Sequence, residues 1–228
     1  MSDAAKVFDE WASNGRDAGM EKDHGDVVEQ VIEAMAVKPG EMILDLGCGN
    51  GWATRMLGKQ APGSQAIGID CSPGMIGRAE ELHSYTIRAR YELMPFEELD
   101  FPDARFEKAF SMEALYYAKD LGKALAELAR VMKPGGQAHL VLDYYGERPG
   151  QDEWPSGIGL EMNRLSEADW VAALEKAGFA QVRAERVVDR RGPTPEADFV
   201  AGPWCPDHAT HVAAHAEGSL WLIAEKGA

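Results

Sequence analysis

The run Ile43-Leu44-Asp45-Leu46-Gly47-Cys48-Gly49-Asn50-Gly51 carries the most specific chemistry in the chain. Its first residues suit a short buried strand. Its three glycines let the backbone turn sharply and approach a ligand with no side chain between. Trp52 to Gln60 then suits a helix, giving the strand, turn and helix order of a nucleotide-binding crossover. A dinucleotide site would ask for G-x-G-x-x-G, but here the third glycine comes one position early and Trp52 stands in its place. Asp45 would repel a pyrophosphate, yet it can accept hydrogen bonds from an ammonium group. The implied ligand is a nucleoside bearing an amino acid rather than phosphates.

Further stretches follow in order. Gln65 to Asp70 suits a second strand ending in an acid, and Cys71-Ser72-Pro73-Gly74-Met75-Ile76 opens a helix with Ser72 as N-cap and Pro73 at its first position. Met94-Pro95-Phe96, Phe101-Pro102-Asp103 and Phe106-Glu107-Lys108-Ala109-Phe110-Ser111 come next, then Leu128-Ala129-Arg130-Val131-Met132-Lys133-Pro134-Gly135-Gly136. As a set these resemble the motifs of the class I S-adenosylmethionine-dependent methyltransferases, of the type 11-like kind, whose first motif is D-x-G-C-G-x-G. The resemblance covers residues 40 to 145, the cofactor-binding half.

It implies S-adenosylmethionine as cofactor, S-adenosylhomocysteine as product, and a role for each matching residue. Gly47, Cys48, Gly49 and Gly51 would wrap the methionine part, and Asp45 would take its ammonium group. Asp70 would accept hydrogen bonds from both ribose hydroxyls, since a carboxylate offers two oxygens at the spacing of a diol. Cys71 and Met75 would flank the adenosine, and Ser111 and Met112 would contact the methionine chain. One departure stands out: Arg90 lies where the family carries an acid for the adenine amine, so Glu92 or backbone atoms would take that part.

Transfer would be in-line attack on a sulfonium methyl, resting on alignment and water exclusion, with a general base where the acceptor needs deprotonation. Acceptor-side candidates follow the fourth and fifth strands: Glu113, Tyr116, Tyr117, Asp143, Tyr144 and Tyr145, with Glu113, Tyr117 and Tyr144 the catalytic candidates. Packing tyrosines would look the same. Trp11, Arg16, Met20 and His24 belong to an N-terminal cap that would close over the pocket, where Arg16 could pair with a carboxylate of substrate or cofactor, or serve in plain lid packing. Cys205, His208, His211 and His215 suit zinc only loosely. A solvated or substrate-lining loop is expected there, and no metal. The absence of Asn/Asp-Pro-Pro-Tyr after the fourth strand disfavours nucleobase amino methylation, and Cys205 lacks the preceding proline needed for attack on a pyrimidine.

These residues need a scaffold. Strands are expected at Met42–Leu46, Gln65–Asp70, Tyr85–Arg90, Glu107–Met112, Gln137–Asp143, Ala180–Val188 and Ser219–Lys226. Helices are expected at Lys6–Ser13, Asp26–Val37, Trp52–Gln60, Gly74–Leu82, Leu121–Met132 and from Ser166 to Lys176. The alternation predicts an α/β, Rossmann-like, doubly wound and mostly parallel sheet with helices on both faces and ligands at the carboxyl ends of strands one and four. The resemblance adds seven strands, the last antiparallel. One methyltransferase domain over 1–228 is expected, with a helical cap over 1–37 and insertions over 146–165 and 189–217.

Composition sets the outer limits. With 228 residues and 45% hydrophobic content the chain can bury a substantial core. A net charge of −15, with basic clusters only at Arg88–Arg90 and Arg183–Arg191, argues against nucleic acid as partner. No apolar run approaches a membrane span, and three cysteines make no disulfide framework, so a cytoplasmic protein with no membrane contact is expected. Nothing in the sequence fixes an oligomeric state. The function expected is methyl transfer to a small, partly apolar acceptor. A cofactor-binding protein without transfer activity, and a tRNA or protein methyltransferase, remain open.

Overall fold

The computed structural model describes residues 2–228. The apolar runs become a seven-stranded sheet in the order β3-β2-β1-β4-β5-β7-β6. Its strands are β1 (Met42–Leu46), β2 (Gln65–Asp70), β3 (Ala89–Leu93), β4 (Phe106–Met112), β5 (Met132–Leu142), β6 (Phe179–Val187) and β7 (Ser219–Lys226). Strands β1 to β5 pair in parallel, while β7 runs against both β5 and β6. The expected doubly wound sheet with an antiparallel last strand is what the chain forms.

Among the described residues eight α-helices carry the connections: α1 (Asp3–Asn14), α2 (Asp17–Ala34), α3 (Trp52–Leu57), α4 (Pro73–Glu81), α5 (Leu121–Val131), α6 (Trp154–Ile158), α7 (Glu167–Ala177) and α8 (His208–Glu217). Two apolar layers cover the sheet. On one face Leu125, Leu128, Trp170 and Leu174 of α5 and α7 pack on Leu44, Ala109 and Leu140. On the other, Val28, Val31 and Ile32 of α2 and Trp52 and Leu57 of α3 pack on Ile43, Phe110 and Val141. Local signals hold where expected: Ser72 accepts from Met75 N at 3.0 Å, Ser166 accepts from Asp169 N at 3.2 Å, and Gly178 ends α7 at φ +105°.

Three expectations are corrected. The third strand lies at Ala89–Leu93 rather than Tyr85–Arg90, because pairing with Ala66–Asp70 sets its register and Tyr85 is left wholly exposed. The helix expected from Asp26 begins at Asp17, a buried acid whose carboxylate accepts from Asn50 Nδ2. The polar connection holding His208, His211 and His215 forms a helix, capped by Asp207, which accepts from Thr210 N at 2.8 Å. Among the described residues no helix is long and apolar enough to cross a membrane.

Candidate active site

The turn after β1 runs Gly47 (φ +74°), Gly49 (φ +52°) and Gly51 (φ +76°), all left-handed. The three do different work. A side chain at Gly47 would collide with Ala114 Cβ in the turn after β4, and one at Gly51 would stand 2.8 Å from Tyr91 Cζ. At Gly49 nothing lies within 4 Å, so this glycine faces open space. Gly68 of β2 was not singled out from sequence; it is glycine because Cys48 Cβ would lie 2.8 Å from its side chain. Cys48 is itself buried, and burial pushes its thiol well above the ordinary range.

Two buried acids meet this turn. Asp70 Oδ2 accepts from Gly49 N at 3.0 Å and Oδ1 accepts from Ser72 N at 2.9 Å. Each oxygen keeps a second lone pair for a further donor. Asp45 accepts only from Thr54 Oγ1, at 2.6 Å, among the described residues. Burial, with the Asp70 charge adding to it, pushes Asp45 up to about 7, and burial pushes Asp70 up to about 6. Asn50 Oδ1 and Asp17 Oδ1 are buried without partners, although Asn50 Nδ2 donates to Asp17 Oδ2 at 3.0 Å. A crevice in which Asp45 and Asp70 keep unspent acceptor positions and have no cation paired to them among the described residues fits a ligand with an ammonium group and a diol. Met75 is buried and Cys71 half-buried beside Asp70, and Ser111 Oγ donates to Leu46 O at 2.9 Å, tying β4 to β1. Met112 packs under α2 and α3, and Glu92 pairs with Arg90 at 3.0 Å.

The acceptor-side candidates gather beyond this crevice. Glu113 is buried at φ +53°; its carboxyl accepts from Tyr116 Oη at 2.7 Å and from Asp143 N. Burial, then the charge of Asp143, raises Glu113 well above the usual carboxylate range. Burial works against the charge on Asp143, yet Arg148 and His24 together hold its carboxyl below the usual range. His24 Nδ1 lies 3.7 Å from Asp143 Oδ2, and burial lowers its pKa. Beside this group opens a cavity of about 530 Å³ whose lining includes His24, Asp143, Arg148, Arg191, His211 and His215.

Tyr116, Tyr117 and Tyr144 belong to a closed circuit of seven aromatic rings. Centroids run Phe8–Trp11 5.3 Å, Trp11–Trp204 6.3 Å, Trp204–Trp154 5.6 Å, Trp154–Tyr144 5.6 Å, Tyr144–Tyr116 5.4 Å, Tyr116–Tyr117 4.4 Å and Tyr117–Phe8 5.1 Å. Trp154 Nε1 also donates to Trp204 O at 2.8 Å. Phe8, Trp154 and Trp204 escaped the sequence argument, because no spacing links five separate segments. Helix α1 joins the two halves of the site. Its Asp9 accepts from Ser72 Oγ at 2.5 Å and Gly74 N at 2.7 Å beside Asp70, while its Phe8 and Trp11 enter the circuit.

The histidines of α8 have other work. His211 Nε2 accepts from Thr194 N at 2.9 Å, and the Nε2 atoms of His208 and His215 pair with Thr194 O and Asp189 O, each at 2.9 Å. They fasten the 189–194 strand of chain along one side of the cavity. Among the described residues no group of three or more His, Cys, Asp or Glu side chains could hold a metal ion.

Comparisons with known proteins agree with this geometry. A family model described as a methyltransferase domain matches residues 43–136. The chain is 34% identical over 136 residues to malonyl-[acyl-carrier protein] O-methyltransferase of Serratia marcescens, covering 60% of this chain and 48% of that protein. It is 31% identical over 154 residues to 2-methyl-6-phytyl-1,4-hydroquinone methyltransferase of Synechocystis, covering 58% and 48%. The chain thus spans about half the length of these relatives. A structure from Haloferax volcanii, of the Trm112 methyltransferase activator with a protein described as a methyltransferase, superposes with a TM-score of 0.89 at 30% identity, covering 97% of this chain and 98% of that one. Fold, crevice and likeness over the full length coincide: the chain belongs to the class I S-adenosylmethionine-dependent methyltransferases.

Proposed function

We propose that the protein transfers the methyl group of S-adenosylmethionine to a small-molecule acceptor lying against the aromatic circuit. One observation carries this most: α1 places Asp9 on the Ser72–Gly74 turn of the acid crevice and Phe8 and Trp11 in the ring circuit, joining a cofactor crevice to an acceptor wall. When bound, the cofactor supplies an electrophilic methyl on a sulfonium. Asp70 takes the ribose diol, and Asp45, helped by Asn50, takes the ammonium group; Gly47, Cys48, Gly49 and Gly51 give the backbone its close approach. Cys71, Met75 and Glu92 border the adenosine, and Ser111 and Met112 the methionine chain. Tyr117 and Tyr144 contact the acceptor. Glu113 is a positioning residue in this account, since it holds Tyr116 Oη with one oxygen and Asp143 N with the other. The rings exclude water and align the nucleophile.

Incubation with methyl-labelled S-adenosylmethionine and a metabolite extract tests this. Label in a small molecule is expected. S-adenosylhomocysteine binding without any transfer would leave a binding protein instead, and label in RNA or protein would change the acceptor class.

A protein partner is proposed alongside. Strand β3 is an unpaired sheet edge, and Leu82, Tyr85 and Leu93 near it are exposed at 44%, 100% and 56%. The full-length likeness to a protein crystallised with Trm112 supports an activator of that kind, and the exposed edge is the surface we assign to it. Co-purification with the Haloferax volcanii Trm112 protein is expected and should be lost in Leu93→Asp. No complex between the wild-type proteins would remove the proposal.

A further inference from the structure

Arg16 stands between α1 and α2 with its guanidinium carbon 3.8 Å from the ring centroid of Trp11 and 4.8 Å from that of Trp204. The two indoles come from opposite ends of the chain and meet at 89°. Cation–π attraction holds the planar cation between them. Yet this cation has no acid. Among the described residues no carboxylate lies within ion-pair distance of it, and its hydrogen bonds are made by its backbone N–H, to Trp11 O and Asn14 Oδ1. Nearby, Arg148 pairs with Asp143, and Arg164, 5.9 Å from the Tyr144 ring, pairs with Asp152.

Arg16 is exposed, so its guanidinium is open to a ligand arriving from solvent beside the seven rings. Among the described residues the side-chain N–H groups of Arg16 have no hydrogen-bond partner, so the edge of the guanidinium is left to donate. That edge is a rigid fork matched to two oxygens of one carboxylate. A cationic acceptor would be repelled here, and a neutral one would leave the fork unspent.

We propose that Arg16, clamped by Trp11 and Trp204, anchors a carboxylate on the methyl acceptor, whose apolar or aromatic body lies along the ring circuit. This rests on the assignment of that circuit as the acceptor wall. Trp11 and Trp204 are specificity residues in this account, since they aim the fork.

The test uses the full chain saturated with S-adenosylhomocysteine, whose binding is first confirmed by calorimetry. Matched probes are then titrated: benzoate, benzamide and benzylamine, and indole-3-acetate, indole-3-acetamide and tryptamine. Binding is read by calorimetry and by tryptophan emission. Each carboxylate is expected to bind about tenfold more tightly than its amide, with the amines weakest. Arg16→Gln should erase the preference while the protein still melts cooperatively and binds S-adenosylhomocysteine. Arg16→Lys, which keeps the charge without the fork, should restore part of it. Equal binding of carboxylates and amides, tightest binding of the amines, or no binding by any probe would each overturn the proposal. Failure of S-adenosylhomocysteine itself to bind would instead overturn the assigned function.

Discussion

Asp70 Oδ2 holds the amide of Gly49 at 3.0 Å, so the acid ending β2 is bonded to the middle of the glycine turn after β1. Its other oxygen holds Ser72 N at 2.9 Å, at the start of α4. One carboxylate therefore sets the spacing of the two loops between which a nucleoside would lie, without help from a ligand.

Replacing that acid should be costly twice. Asp70→Ala is expected to weaken S-adenosylhomocysteine binding by about 1–3 kcal/mol and to lower the melting temperature through two orphaned amides. Calorimetry that finds undiminished affinity would remove Asp70 from the ribose site.

The glycines should separate fold from ligand. Gly47→Ala meets Ala114 as well as a φ of +74°, and should destabilise the protein markedly. Gly49→Ala meets open space, so only its left-handed backbone costs stability, about 1–2 kcal/mol. Its methyl would nonetheless occupy ligand space. Thermal melts and S-adenosylhomocysteine titrations of the two variants should therefore rank in opposite ways.

Asp45 and Asp70 also set a pH dependence. Both are raised by burial, to about 7 and about 6, so folding takes up protons at these sites. Their contribution to stability is present below the ordinary carboxylate range and is lost as pH rises through about 6 and then about 7. Ammonium and ribose donors favour the ionised acids. Stabilisation by S-adenosylhomocysteine should thus grow as pH rises across that window, as scanning calorimetry with and without ligand would show. A stabilisation that shrinks over the same range would contradict the assignment.

Glu113 offers a sharper contrast. Glu113→Gln keeps a polar group of the same shape and should retain most of the transfer rate. Glu113→Ala strands Tyr116 Oη and Asp143 N, and should cost about 1–3 kcal/mol of stability for each. A Gln variant that folds normally but loses transfer would make Glu113 a base after all.

The glycine turn after β1 and the acid ending β2 were legible in the sequence because each lies within one short run of the chain. β1, β2 and β7 fall where their apolar runs end, since almost every residue in them is buried. β3 did not, because an edge strand buried on neither face offers no clean alternation and takes its register from β2. α8 carries alanines and histidines with a single buried residue, Ala214, so periodicity had nothing to report. The ring circuit was invisible for a different reason. Trp154 and Trp204 stand 50 positions apart and meet through an indole-to-carbonyl bond that no local pattern encodes.

That separation reaches beyond this molecule. Five of the seven rings, Phe8, Trp11, Tyr144, Trp154 and Trp204, lie outside the 43–136 stretch that the family model matches. On the proposed function, the part that grips the nucleoside and most of the part that chooses what is methylated thus lie on different lengths of polypeptide. Drift in the flanking lengths can retune selectivity while the shared middle stays as it is, so kinship measured there carries little information about what any one member modifies.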